Sequence, residues 1–287
     1  VTNNAGRSAS TVAEHLQSLG IDVDVTDVVT SAMAAAEMLT QRLPAGSAVG
    51  IVGGPGVKVA IEAVGLRAVE PSSDEAIAIV MGYGPDISWR DLAAASYAVA
   101  HGALFVATNT DRTFPTAQGV APGNGVFVAA VQEASGVAPL VAGKPEPFLY
   151  EHAIARLQAK RALVIGDRLD TDIAGARKAG LSSLLVLSGI CTPKQAVLAP
   201  EDQRPDMIAT DVQALLSEPV AIGEICRTGD RWEHGGCVAQ VSDGVVTVQA
   251  MGSPSGRGPE WISLVQCAAA AAWSQADRVV DVVGLDR

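Results

Sequence analysis

Short apolar runs alternate with helical patterns over most of this 287-residue chain, and this alternation restricts its fold most strongly. The runs are long enough for strands and are followed by stretches with helical spacing of apolar residues. This order is typical of α/β proteins with a mostly parallel sheet. The predicted strands are 48–52, 76–81, 103–107, 162–165 and 183–187, and the predicted helices are 10–19, 30–43, 57–64, 89–100, 126–135, 147–157 and 172–179.

From about residue 218 the pattern changes. Alternating apolar residues at 238–241 and 245–248 flank Asp243-Gly244, which predicts a β-hairpin. An apolar helix is predicted over 262–275. We interpret this part as a small α+β extension of the main body.

The composition disfavours several classes of protein. The formal net charge of −11 argues against nucleic acid as a partner, because phosphate backbones need clustered Lys and Arg. No apolar run reaches the roughly 20 residues of a membrane-spanning helix, so no membrane partner is expected. The four cysteines have no C-x-x-C spacing, which favours a reducing cytoplasm over a zinc site or disulfides. A small phosphorylated metabolite remains compatible with an acidic chain where a cation and a local Lys offset the charge.

The most specific segment is G-D-R-L-D-T-D-I at residues 166–173. A predicted strand delivers Asp167 to its carboxyl end, the edge at which ligands bind in open α/β sheets. Carboxylates there can hold Mg²⁺, which uses one or two of them and keeps several waters. The alternative is that Asp170 and Asp172 cap the next helix. Capping does not account for Asp167, so we favour the metal interpretation.

Two weaker signals accompany this segment. Pro145 biases Lys144 away from helical geometry, and a Lys at the same sheet edge can neutralise a phosphoryl group in transfer. Taken alone, a surface Lys before a helix is the commoner explanation. Thr2, Asn3 and Asn4 follow the predicted tail of a strand, where a hydroxyl and backbone N–H groups can form an anion nest. The same residue types are ordinary turn formers.

The three segments occur in one order, each at the end of a predicted strand. In that order they resemble motifs II, III and IV of the haloacid dehalogenase (HAD) superfamily of phosphatases. T-N-N-x-x-R at residues 2–7 and G-D-R-L-x-T-D-I resemble its class IIA, the sugar-phosphate, p-nitrophenyl-phosphate and pyridoxal-phosphate phosphatases. The resemblance covers about residues 1–215. Within this class the chain is most similar to the actinobacterial glycerol 3-phosphate phosphatases, which also carry a C-terminal extension.

The long interval between Thr2 and Lys144 predicts an inserted domain, because one βαβ step needs only about 30 residues. The resemblance implies a Rossmann-like α/β core and a small α+β extension. It also implies an α/β cap domain of C2 type between Thr2 and Lys144. We predict core segments at 1–44 and 141–217, the cap at 45–140 and the extension at 218–287. A homodimer through the cap is a further expectation.

The resemblance places the substrate loop of the cap at residues 109–115, followed by P-G-N-G at 122–125. Asn109, Asp111 and Phe114 are the expected specificity residues. Pyridoxal-phosphate phosphatases carry His at the position of Phe114, which favours a small polyol phosphate here. Residues 53–56 (G-G-P-G) follow a strand but are not G-x-G-x-x-G, so we interpret them as a turn of the cap and not as a nucleotide site.

The resemblance also implies a mechanism. An Asp attacks phosphorus to form an aspartyl-phosphate, and a second Asp two residues later serves as acid and then base. Thr2, Asn3 and Asn4 are expected to hold the phosphoryl oxygens, and Lys144 to bind phosphate and balance its charge as a catalytic residue. Mg²⁺ is the expected cofactor.

Two aspartates are expected to serve the metal. The resemblance implies that Asp167 binds Mg²⁺ directly. Asp172 is expected to order metal-bound water or Lys144 from outside the coordination sphere.

The nucleophile motif, an apolar strand ending in D-x-D-G-[TV], does not occur in this chain. Residues 22–25 (D-V-D-V) share its first letters but lack the Gly and follow Thr2, so we interpret them as a connector between helices. We expect the nucleophile upstream of Val1, and the chain by itself to be inactive.

Two hypotheses follow. In the first, the chain is the major part of a Mg²⁺-dependent phosphomonoesterase for a small phosphorylated metabolite, with glycerol 3-phosphate as the expected substrate. In the second, it is a non-catalytic phosphate-binding or interaction module. Thr2, Lys144 and Asp167 keep the residue types that catalysis needs, which favours the first.

Overall fold

The structure is a computed structural model that describes residues 1–217, 219–251, 259–275, 279 and 281–285. These residues form two compact units, Val1–Lys160 and Arg161–Arg287, and each is described by itself. The predicted division into core, cap, core and extension stays a prediction.

The first unit is built on a five-stranded parallel sheet with the order β2-β1-β3-β4-β7. The strand order reverses at β1, because β2 lies on one side of it and β3 on the other. Such a reversal opens a crevice outside the carboxyl ends of the strands. The strands are β1 (Ala48–Val52), β2 (Arg67–Val69), β3 (Ala78–Met81), β4 (Leu104–Ala107) and β7 (Leu140–Val141). A separate antiparallel hairpin follows β4 and consists of β5 (Thr113–Thr116) and β6 (Gly119–Pro122).

Helices connect and cover the strands of this unit. Helix α2 is rich in alanine, and its small buried side chains let it pack closely against α3 and α6. Leu39 and Ile61 are fully buried there, and burying such a side chain stabilises a fold by roughly 1.5–3 kcal/mol. The helices are α1 (Ala9–Ser18), α2 (Ser31–Thr40), α3 (Pro55–Ala63), α4 (Trp89–Ala100), α5 (Asn124–Ser135) and α6 (Phe148–Leu157).

The chain begins with a single bridge where a strand tail is predicted. Thr2 N donates to Val29 O at 3.0 Å, and Ser31 N donates to Thr2 O at 2.9 Å. Thr30, the bridge partner of Thr2, is also the N-cap of α2. The pairing stops after one residue because the partner segment turns into a helix.

Helix α1 begins earlier than predicted. Ser8 is its N-cap, and Ser8 Oγ accepts a hydrogen bond from Thr11 N at 3.2 Å. Thr11 and Glu14 have the spacing of a capping box in the sequence, but Thr11 already lies inside the helix and does not cap it. Residues 22–25 are confirmed as part of a connector, in which Asp24 caps the 3-10 turn Val25–Asp27.

The second unit contains a three-stranded parallel sheet with the order β10-β9-β8. A second sheet runs in the order β11-β12-β13-β14-β15, antiparallel except for the parallel pair β14–β15. The strands are β8 (Leu163–Gly166), β9 (Ser182–Val186), β10 (Met207–Ala209), β11 (Cys226–Thr228), β12 (Arg231–His234), β13 (Cys237–Ser242), β14 (Val245–Ala250) and β15 (Asp281–Val283). The helices are α7 (Ala174–Lys178), α8 (Pro193–Val197) and α9 (Pro259–Trp273).

The predicted hairpin is confirmed as β13–β14. Asp243 and Gly244 both have positive φ, at 52° and 78°, as a two-residue hairpin turn of type I′ requires. Helix α9 packs on this sheet, and one apolar cluster joins Leu185 of the parallel sheet to Trp232 and Val265 of the extension. Across the described residues, no helix is both long and apolar enough to cross a bilayer.

His152 on α6 is a half-buried titratable group from which we expect a pH dependence of stability. Its Nε2 atom is buried without a hydrogen-bond partner among the described residues. Burial lowers the pKa of His152 below its ordinary 6.5, and Arg156 acts in the same direction, whereas Glu37 opposes them. A lowered pKa means that the unfolded chain takes up the proton first, so stability falls as pH drops below about 6.5.

We expect His152→Gln to remove this part of the acid sensitivity. The unfolding temperature of the wild-type protein should fall relative to that of the variant between pH 7.5 and 5.5. Thermal unfolding at both pH values measures the difference. A difference between the two proteins that does not change with pH would contradict the assignment.

Candidate active site

Glycines bring the N-terminal segment against the carboxyl edge of the five-stranded sheet. Gly54 N donates to Tyr83 O at 2.9 Å, and Gly56 N donates to Gly6 O at 3.2 Å. A Cβ atom on Gly56 would lie 2.5 Å from Ala5 O, so only glycine allows this approach. Gly53 and Gly54 form the bend between β1 and α3, while Pro55 and Gly56 are the first residues of α3.

Two side chains shape the turn at Thr2-Asn3-Asn4. Thr2 Oγ1 accepts a hydrogen bond from Asn4 N at 3.1 Å, and Asn4 Oδ1 accepts one from Gly6 N at 3.0 Å. Within the described residues, the N–H groups of Asn3 and Ala5 have no acceptor. The alternate N–H groups at 3 and 5 are thus the ones that can receive an anion.

The Asn3 side chain makes hydrogen bonds to protein partners on two other segments. Asn3 Nδ2 donates to Asp111 Oδ2 at 3.2 Å and to Lys144 O at 3.0 Å. Asn3 Oδ1 accepts from Lys144 N at 2.8 Å. This leaves the backbone of Asn3, and not its amide, to contact a ligand.

Lys144 lies in the loop after β7, and Asn3 bonds both polar groups of its backbone. The peptide bond between Lys144 and Pro145 is cis. A Cβ atom on Gly143 would lie 2.7 Å from Asn3 Oδ1 and would overlap Thr108 O, so the loop requires glycine there. The structure therefore places Lys144 beside the turn at residues 2–4.

The buried side-chain amides of Asn109 and Asn124 hold the predicted substrate loop in place through hydrogen bonds to the backbone. Asn109 Nδ2 donates to Asn3 O at 2.7 Å, and Asn109 Oδ1 accepts from Asp111 N at 3.2 Å. Asn124 Nδ2 donates to Asn109 O at 2.7 Å and to Met81 O at 3.3 Å. Asn109 is 4% exposed and Asn124 is 2% exposed, so both act on the loop and not on solvent.

Phe114 lies on the β5–β6 hairpin, where the sequence predicts a loop. Its ring stacks on Tyr83, with the ring centroids 4.9 Å apart and the planes at 29°. Both rings are half-buried. Phe114 therefore packs beside the Gly82–Gly84 turn that follows β3.

Sequence reasoning missed two contributors to this edge. Ser31 Oγ donates to Asn3 O at 2.7 Å from the first turn of α2, and Asn124 carries no assigned role in the predicted loop. Both are polar residues next to apolar helical faces, which is the signal that could have identified them.

In the second unit, Asp167 follows β8 at its carboxyl end, as predicted. Asp167 Oδ2 accepts from Ile190 N at 2.9 Å, and Asp167 O accepts from Cys191 N at 3.0 Å. Asp167 Oδ1 has no hydrogen-bond donor in the described part of the chain. One carboxylate oxygen is thus fixed, while the other can receive a ligand.

Neither Asp170 nor Asp172 caps α7. Arg168 binds Asp170 with two hydrogen bonds, of 3.0 Å from Nε and 2.7 Å from Nη2, and holds the pKa of that carboxyl below its usual range. Asp172 is buried, and its Oδ2 accepts from Arg168 N at 3.1 Å. Asp172 lies in a π-helical turn, Leu169–Ile173, that precedes α7, so the predicted helix start at this residue is wrong. In this turn the Asp172 side chain folds back on the loop that precedes it.

The donors around Asp167 suit a hard cation with few protein ligands. Among the described residues, no three His, Cys, Asp or Glu side chains gather as a metal site. Mg²⁺ keeps several waters and needs only one or two carboxylates, which fits a single available oxygen on Asp167. Burial, followed by the nearby carboxylates of Asp167 and Asp170, raises the pKa of Cys191 to about 11, so this thiol is protonated at neutral pH.

Known proteins share both the fold and these segments. Residues 1–67 match the haloacid dehalogenase-like hydrolase family, and residues 141–215 match the HAD-hydrolase-like family. D-glycerol 3-phosphate phosphatase of Mycobacterium tuberculosis is 43% identical over 275 residues, which are 95% of this chain and 76% of that protein. Acid sugar phosphatase of Staphylococcus aureus is 34% identical over 67% of this chain and 74% of its own length.

Solved structures of phosphatases are also similar to this chain. The glycerol phosphate phosphatase of Mycobacterium tuberculosis in complex with magnesium has a TM-score of 0.87 and 41% identity, over 98% of this chain and 82% of that one. The p-nitrophenyl phosphatase of Archaeoglobus fulgidus has a TM-score of 0.69 and 29% identity, over 75% and 83% of the two chains.

The fold and the site residues together define a class of protein, the α/β hydrolases with a carboxylate at the end of a strand. The chain belongs to the haloacid dehalogenase-like hydrolases, in the group that contains the class IIA phosphatases. The predicted family and fold class are confirmed, and the interpretation as a non-catalytic module is not favoured.

Proposed function

We propose that the protein containing this chain is a Mg²⁺-dependent phosphomonoesterase that hydrolyses glycerol 3-phosphate. The observation that carries the proposal is the state of Asp167, with one oxygen fixed by Ile190 N–H and the other available at a strand end. The similarity to a glycerol 3-phosphate phosphatase, and to a glycerol phosphate phosphatase crystallised with magnesium, supports the substrate and the metal.

The phosphoryl group is proposed to bind at the turn after Thr2. The Thr2 hydroxyl and the N–H groups of Asn3 and Ala5 can donate to its oxygens, while Asn4 shapes the turn. Lys144 supplies positive charge. Anion binding by successive N–H groups is common at such turns.

Asp167 is the proposed Mg²⁺ ligand. A Mg²⁺ ion held by Asp167 would supply a positive charge of the kind that stabilises charge developing on a phosphoryl group. Asp172 holds the backbone that follows Asp167 through Arg168 N. The nucleophile is proposed to be an Asp that transfers the phosphoryl group through an aspartyl-phosphate.

The preference for a small polyol is proposed to come from the loop after β4. Asp111 can accept a hydrogen bond from a substrate hydroxyl, and Asn109 fixes the loop that carries it. Phe114, stacked on Tyr83, offers an apolar ring edge and no donor for a pyridine ring.

The full-length protein with Mg²⁺ should hydrolyse glycerol 3-phosphate faster than pyridoxal 5′-phosphate, sugar phosphates or p-nitrophenyl phosphate. Removal of the metal with EDTA should abolish turnover, and added Mg²⁺ should restore it. Phosphate release measured across this panel tests both statements. Turnover that persists in EDTA, or no turnover of any phosphomonoester, would refute the proposal.

Two finer properties belong to the same proposal. A homodimer through the predicted cap is supported by the exposed aromatic side chains of Trp89 and Tyr97 on α4, which are 76% and 64% exposed. Cytoplasmic location is supported by the four cysteines, which form no disulfide with one another in the described part of the chain and suit a reducing compartment. Light scattering of the full-length protein tests the first, and a monomer at micromolar concentration would contradict it.

A further inference from the structure

We propose that Asn3 is a positioning residue that couples the Asp111 loop to Lys144. This rests on the proposed function, because it assigns a role within the same site. The amide of Asn3 stands between the two segments and is bonded to both.

The hydrogen bonds fix how the amide is oriented. Asn3 Oδ1 faces a donor, Lys144 N, at 2.8 Å. Asn3 Nδ2 faces only acceptors, Lys144 O at 3.0 Å and the Asp111 carboxylate oxygens at 3.2 and 3.3 Å. A reversed amide would place like groups together at every contact, so this arrangement has a single orientation.

The backbone carbonyl of Asn3 is also fixed by hydrogen bonds. Asn3 O accepts from Ser31 Oγ and from Asn109 Nδ2, each at 2.7 Å. The side chain is 9% exposed, and Gly143 packs directly against it. A buried amide without partners is costly, so its bonds to Lys144 and Asp111 are strongly retained.

A change at Asp111 must therefore reach Lys144. The bond from Asn3 to the Asp111 carboxylate has an ionised acceptor, and such bonds are stronger than neutral ones. When the carboxylate moves, Asn3 Nδ2 loses one of its two acceptors, and the same amide holds both polar groups of the Lys144 backbone. We infer that the state of the substrate loop is transmitted to Lys144 through the Asn3 side chain.

A double-mutant cycle on the full-length enzyme tests the coupling. Asn3→Ala and Asp111→Ala should each lower kcat by about 30-fold, a loss typical of a small misplacement at a reacting centre. Because both remove the same connection, the double variant should also lose about 30-fold, whereas independent effects would multiply to about 1,000-fold. Asp111→Asn keeps an oxygen acceptor and should recover most of the rate.

Asn4→Ala provides a matched control. Asn4 lies next to Asn3, but its side chain bonds Gly6 N and touches neither Lys144 nor Asp111 in its hydrogen bonds. Its effect should multiply with that of Asp111→Ala. If Asn3→Ala does not fold, Asn3→Ser takes its place.

Inhibition by inorganic phosphate separates positioning from direct binding. A positioning role leaves the inhibition constant of phosphate within about 3-fold, whereas loss of a direct charge-assisted bond would raise it by about 30-fold. Multiplicative losses in the Asn3–Asp111 cycle, or the larger rise in the inhibition constant, would overturn the inference. An inactive wild-type enzyme would instead refute the proposed function, so the two failures are distinguishable.

Discussion

Asp167→Asn in the full-length protein is expected to lower kcat with Mg²⁺ by about 10³-fold, because a metal-bound carboxylate supports several kcal/mol of transition-state stabilisation and each 1.36 kcal/mol is tenfold in rate. The substitution removes the charge but keeps an oxygen that can accept from Ile190 N, the bond that Asp167 Oδ2 makes at 2.9 Å. The fold should therefore be preserved while metal affinity is lost.

Asp170→Asn is the matched control for this experiment. It removes an equal charge three residues away, but from a carboxylate that is 59% exposed and paired with Arg168. Exposed ion pairs contribute about 0–1 kcal/mol, so stability and turnover should change little. Isothermal titration with Mg²⁺ gives a second readout, in which Asp170→Asn binds and Asp167→Asn does not. Wild-type turnover by the Asp167 variant would eliminate Asp167 as the metal ligand.

Much of the fold can be predicted because glycines and helix-capping residues mark where its strands and helices begin and end. Strand β1 and helix α4 have the predicted bounds, since Gly53-Gly54 ends the strand and Ser88 forms a capping box with Asp91 at the start of the helix. The hairpin around Asp243-Gly244 was predictable for the same reason. Local sequence signals predict the end of a helix or strand where the residues that terminate it lie within a few positions of that end.

Elements without such signals are missed. Strand β2 is only three residues long, and β5 contains Pro115, which breaks the strand pattern although an isolated hairpin tolerates it. The strand tail at Thr2 fails because its pairing depends on the start of α2, almost thirty residues later. Tertiary context decides these cases.

Some features of the candidate site can likewise be predicted from the sequence, and others cannot. The residue types of Lys144 and Asp167 indicate phosphoryl chemistry from sequence, because few other roles need both at strand ends. The function of the Asn3 side chain was not predictable, since its partners Lys144 and Asp111 are more than a hundred residues away. Roles that depend on hydrogen bonds across such distances are visible only in the folded chain.

Gly189→Ala is expected to lower kcat/KM by about 10²-fold, because small displacements of a catalytic group have effects of this size. A Cβ atom on Gly189 would overlap Asp167 Oδ2 and would lie 2.5 Å from Asp167 Cβ and Cγ. The carboxylate must then move away from Ile190 N, which donates to it in this segment, and the oxygen left for the metal moves with it. Mg²⁺ affinity should fall in parallel with activity.

Gly223→Ala tests whether the effect is specific to this position. No atom lies within 4 Å of a Cβ built on Gly223, and its φ is not in the left-handed region, so alanine fits there without displacement. Replacing such a glycine stabilises a protein by about 0.4–1 kcal/mol through the unfolded chain, and activity should stay at the wild-type level. Equal activity of the two alanine variants would show that Asp167 does not depend on its packing against Gly189. A loss confined to Gly189→Ala, reversed in part by excess Mg²⁺, requires instead that the position of Asp167 sets the affinity for the metal.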